Sequence, residues 1–183
     1  MKLFSKFSSQ ELLYIAVLAA LGLAIKPIIT PLVHIISVPL MVPGGSLSGG
    51  FYMMWLVLAA ILVKHPGAAF TVGFVQAIVI LSLGYFGNHG AVSLISYSLP
   101  GLAVEIVALI IKRKQTVTFS IVACVMANLS GAIVVTILVM RLALIPLIIS
   151  LVAAAISGII GGMLSYSILK KLKKYGVINL EVK

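Results

Sequence analysis

Glu11-Leu-Leu-Tyr-Ile-Ala-Val-Leu-Ala-Ala-Leu-Gly-Leu-Ala-Ile-Lys26 is the first long apolar run of the chain. Between its two ends no charged side chain interrupts the apolar run. Extended over residues 10–33, it is long enough to cross the hydrocarbon core of a bilayer as a helix. Within it Ala16, Ala20 and Ala24 recur at every fourth residue. On a helix they stay on one stripe, flanked by Ala19 and Gly22. Small residues at that spacing let a second helix come close inside lipid, where packing drives association. The stripe meets either this chain's own helices or a partner subunit.

Composition places the whole chain in the same class. Its 183 residues are 62% hydrophobic and 9% charged, with mean hydropathy +1.29. Soluble domains carry about 25% charged residues. The chain reads as an all-α integral membrane protein, one transmembrane domain over residues 1–183. The first run is too long for a cleaved signal peptide, and further runs like it follow. A single cysteine, Cys124, excludes a disulfide framework and a cysteine-based metal centre within one chain.

Proline, glycine and charge punctuate six spans, near residues 10–33, 46–63, 67–85, 92–111, 117–140 and 145–169. Pro27 and Pro31 are expected to kink or end the first. His65-Pro66-Gly67 reads as a tight turn. With six spans, eleven of the thirteen Lys and Arg fall on one side. Cytoplasmic loops hold the excess of Lys and Arg, so both termini are expected inside. The net charge of +10 is thus a topology signal and not a nucleic-acid footprint. Lys26 and Arg141 are the two cations left on the outer side; residues of that kind ordinarily snorkel to the interface, but an anionic group on a substrate would have little else to find there.

Polar groups inside the spans are few. Glu105 shares a face of the fourth span with Tyr97 and Gly101, at i, i+4, i+8. An intramembrane carboxylate faces either a neighbouring helix or a wet cavity. Gln76 and Asn128 could each bond a neighbouring helix or reach a ligand. Tyr52, Trp55 and Tyr97 belong to an outer aromatic belt or line a pocket. The segment 84–90 carries Asn88 and His89 between Gly84, Gly87 and Gly90, which would supply the freedom a closing loop needs. His34 and His89 are two outer histidines, a weak signal for a metal centre. No P-loop, nucleophile elbow or metalloprotease pattern occurs, so neither ATP hydrolysis nor other catalysis is expected of this chain, and no cofactor.

Six short spans with both ends inside and a small-residue stripe on the first resemble the substrate-binding S component of an energy-coupling factor (ECF) transporter. Phe51-Tyr-Met-Met-Trp55 through Ala59-Ala60, Val63-Lys-His-Pro-Gly-Ala-Ala69 and Gly87-Asn-His-Gly90 are similar to its YkoE-like branch, and a Glu stands at the place of Glu105. The resemblance implies a vitamin carrier of a bacterial or archaeal cytoplasmic membrane. It would dock through Ala16, Ala20 and Ala24 on a transmembrane T component coupled to two cytosolic ATPases. The vitamin implied is thiamine or its hydroxymethylpyrimidine precursor. On that reading Glu105, Tyr97, Asn88, His89, Trp55, Gln76 and Asn128 are the expected substrate contacts. The segment carrying Gly84, Gly87 and Gly90 is the expected gate. A tetrapyrrole (cobalamin or haem) held by His34 or His89 is the rival substrate. A small cation-coupled transporter using Glu105 is the rival class.

Overall fold

The computed structural model describes residues 7–40, 42–63, 65–84, 89–113 and 115–176. The helices are α1 (Ser9–Ala24), α2 (Lys26–Ser37), α3 (Gly44–Leu62), α4 (Ala68–Leu83), α5 (Ser93–Ile110), α6 (Val117–Val134) and α7 (Leu144–Lys174). Five stretches are long and apolar enough to cross a membrane, and α4 is a shorter apolar helix beside them. The first of these, Ser9–Ser37, comprises α1 and α2. This is an all-α, multi-pass membrane protein with six helical crossings.

Local chemistry explains the helix ends. Ser8 and Glu11 form a capping box at the start of α1, with the Ser8 amide donating to Glu11 Oε2 at 2.8 Å. Pro27 has no amide hydrogen to continue the helical ladder. The chain accordingly breaks at Ile25 and restarts as α2, with Pro27 in its first turn. At the start of α4 no side chain of the segment itself caps the helix. Glu105 on α5 supplies the cap instead, accepting from the Ala69 amide at 2.9 Å. Gly84 closes α4 with φ +61°, a backbone that a side chain would strain. The 31 residues of α7 run about 46 Å, longer than the hydrocarbon core. Its surplus carries Lys170, Lys171, Lys173 and Lys174, all exposed.

The hub of the bundle is α3, which packs against every other helix. Its residues Leu56 to Ile61 are all buried. Small residues set the closest approaches. A Cβ on Gly161 of α7 would collide with the backbone of Gly50 on α3, and one on Gly162 with the backbone of Ile121 on α6. The Gly50 amide also donates to Ser157 Oγ at 2.9 Å. Dense packing is concentrated in the half that holds Val57, Val63, Ala68, Ala69, Val104, Phe119 and Leu169. Basic residues Lys112, Arg113, Lys170 and Lys171 lie beyond that half, which makes it the cytoplasmic one.

Candidate substrate cavity

The outer half of the bundle is hollow. A cavity of about 690 Å³ lies between α2, the first three turns of α3, the start of α5 and the end of α6. That volume is within the roughly 300–1,000 Å³ that accommodates a drug-sized ligand. The wall is mainly apolar, from Val33, Val42, Met53, Ala132, Val135 and Met140. The end of α6 opens into a π-helical turn, Val135–Val139. Thr136 Oγ1 is spent on Ala132 O at 2.7 Å, so this turn presents Val135 and Val139 to the cavity. Such turns inside α-helices recur at functional sites.

Lys26 is the cation of this wall. It is 7% exposed and sits where α1 gives way to α2. Its ammonium donates to Tyr97 Oη at 2.7 Å. It also lies over the rings of Tyr52 and Tyr97, 4.5 and 4.2 Å from their centroids. Tyr52 Oη in turn bonds Thr30 Oγ1 at 3.0 Å. Burying an ammonium costs several kcal/mol. Each ring face returns about 2 kcal/mol when desolvated. The rings therefore offset only part of the cost, and two of the three ammonium protons remain without a partner among the described residues. The helix break turns Lys26 inward, whereas from the sequence the outer interface was the commoner of its two expected places.

Other polar groups line the same space. His89 lies beside Lys26. Burial, and then the positive charge of Lys26, hold its imidazole below the ordinary range. At pH 7 it is neutral and offers one donor and one acceptor. The hydroxyls of Ser46 and Ser96 are buried in the wall with no hydrogen-bond partner among the described residues. Asn128 reaches the cavity with one edge and ties α6 to its neighbours with its amide, donating to Ala154 O at 2.8 Å and Ser46 O at 3.4 Å. His34 stands at the mouth, against Gly44. Among the described residues no three His, Cys, Asp or Glu side chains converge as a metal site would require.

Of the expected substrate contacts, then, Tyr97, His89 and Asn128 line the cavity. Three others are elsewhere. Glu105 lies in the cytoplasmic half, paired with Arg113 Nη2 and capping α4. Arg113 also donates to His65 O at 2.7 Å and Val63 O at 3.1 Å. Gly101 opens no space for a ligand, because the Ala69 and Phe70 backbone packs on it. Gln76 donates to Ala19 O at 3.3 Å and bridges α4 to α1. Trp55 borders a small apolar groove between α1, α3 and α7. Asn88 and Gly87 lie outside the described residues. Gly84 and Gly90 flank that segment, both with positive φ. Ala16, Ala20 and Ala24 face outward along α1, while Ala19 and Gly22 are buried against the bundle. Thr30, Ser46 and Ser96 also line the cavity and carry no signal in the sequence, whereas Lys26 and Tyr52 line it as one of the two roles that the sequence left open to each. A charge beside Pro27 inside an apolar span was the signal available for Lys26.

The sequence model of a family described as "ABC-type cobalt transport system, permease component" matches residues 10–130. The chain belongs to this family. The fold is also similar to that of a solved protein described as an S component of an ECF transporter. The TM-score is 0.78 at 21% identity, over 95% of this chain and 89% of that one. A sequence comparison with curated proteins finds no match.

Proposed function

We propose that this chain is the substrate-binding S component of an ECF-type importer, a transport subunit and not an enzyme. The observation that carries the reading is the vitamin-sized cavity in the outer half of an S-component-like fold, closed off from the cytoplasm by the packed inner half. On this reading the chain captures a small organic molecule from outside. A transmembrane T component and two cytosolic ATPases supply the coupling, since this chain has no nucleotide-binding motif.

Thiamine and hydroxymethylpyrimidine, implied by the resemblance, fit the cavity unequally. Thiamine carries a fixed cation. The described wall offers it Lys26 and no carboxylate. Hydroxymethylpyrimidine is uncharged near pH 7 and could use the Ser46, Ser96 and Asn128 groups. The two histidines of the wall, His34 and His89, favour a tetrapyrrole as the second reading, with imidazole as axial ligand. Transport by the chain coexpressed with a T component and two ATPases tests the subunit role. Native mass spectrometry of the purified protein identifies what it retains. Failure to associate with any such module would remove the S-component reading.

A further inference from the structure

We infer that the cavity selects an organic carboxylate, and that Lys26 is the residue that recognises its charge. The inference rests on the importer reading above and narrows its substrate class. The argument is one of missing counter-charge. The chain has three acidic residues in all. Glu11 is spent on the cap of α1. Glu105 is spent on Arg113 and the Ala69 amide. The third, Glu181, lies outside the described residues. Lys26 is nevertheless buried, and among the described residues Tyr97 is its one hydrogen-bond partner and two ring faces are its other company. An ammonium with free donors in a mainly apolar cavity calls for an anion, and since no described side chain supplies one, that role falls to the ligand.

The surroundings specify what kind of anion. One lysine beside a neutral His89 balances a single negative charge. That matches a carboxylate better than a phosphate dianion. The wall beyond Lys26 is aliphatic, so the body of the ligand is apolar. From Tyr52, over which Lys26 lies, to Gly44 at the mouth is eight residues of α3, about 12 Å. A ligand with its carboxylate on Lys26 extends along this length. The buried, unpartnered hydroxyls of Ser46 and Ser96 then offer donors and acceptors to a neutral polar group on its body.

Matched acid and amide pairs test this on the purified full chain. We would titrate biotin against biotinamide, lipoate against lipoamide and nicotinate against nicotinamide, with thiamine as a cationic probe. At least one acid should bind about 10- to 150-fold more tightly than its amide, the range for hydrogen bonds to a charged group. Lys26→Gln should abolish that preference, bringing acid and amide affinities to within about twofold of each other. Lys26→Arg should retain part of it, and decides the matter if the Gln variant fails to fold. The proposal is overturned if no acid outbinds its amide. It is equally overturned if thiamine outbinds every acid, or if the acid preference survives in Lys26→Gln. Copurification of the wild-type chain with a T component and ATPases is scored separately. A chain that assembles but prefers amides or thiamine loses the carboxylate inference and keeps the importer role. A chain that prefers acids but never assembles does the reverse.

Discussion

Glu105 and Lys26 are both buried inside spans, and their partners give them different work. Glu105 joins three segments, because Arg113 grips Val63 O and His65 O while the carboxylate holds the Ala69 amide. The pair fastens the α3–α4 turn to the end of α5. Replacing Glu105 by Gln keeps an acceptor for Ala69 but removes the charge facing Arg113. Thermal or denaturant unfolding should show a loss of about 1.5–3 kcal/mol, the value of hydrogen bonds to charged groups. Ligand affinity should change by no more than about twofold, as expected for a site remote from the cavity. A variant of normal stability and lost binding would return Glu105 to the substrate site. Lys26 has the opposite profile, since its surroundings leave donors open to the cavity.

Among the elements, α1 and α7 both carry small residues, and they use them differently. The Ala16, Ala20 and Ala24 stripe of α1 faces away from the bundle, which leaves it available to a partner helix. Ala20→Trp should alter stability by less than about 0.5 kcal/mol, as surface changes do. It should also preserve ligand binding and abolish association with the T component. Normal assembly and uptake by this variant would sink the docking role. On α7 the small residues are internal, with Gly161 on the Gly50 backbone and Gly158 on Val125. Gly161→Leu forces backbone to move and should cost about 3 kcal/mol or more, read as failure to fold or a collapsed unfolding midpoint in detergent. A Leu tolerated without loss would mean that α3 and α7 are further apart than described.

The whole molecule divides into a packed cytoplasmic half and a hollow outer half. Charge fixes which is which, with Lys112, Arg113, Lys170, Lys171, Lys173 and Lys174 at one end and Arg141 at the other. The chain's one cysteine, Cys124, is fully buried, so introduced cysteines can be read against a silent background. In intact cells Arg141→Cys should react with a membrane-impermeant maleimide. Lys174→Cys should react only after permeabilisation. The reverse pattern would invert the topology and point the cavity at the cytoplasm, which an importer's capture site cannot do.

The class and the approximate spans were legible in the order of residues, and the distribution of Lys and Arg predicts the sidedness. Hydropathy over some 20 residues, the Pro27 break, the 65–67 turn and the distribution of Lys and Arg are local or additive properties, and the bilayer reads them directly. Helix periodicity also placed Tyr97 and Glu105 on one face of α5. It could not say that the two ends of that face serve different purposes. Tyr97 meets Lys26, 71 residues away, while Glu105 meets the amide of Ala69, 36 residues away. Periodicity likewise gave the α1 stripe without saying whether it faced in or out, and gave no hint that α3 would be the hub. Those outcomes belong to the tertiary structure alone. A buried charge or a small-residue face takes its meaning from whatever distant segment is packed against it, and that neighbour is set by the fit of whole helices, not by the spacing of residues within one.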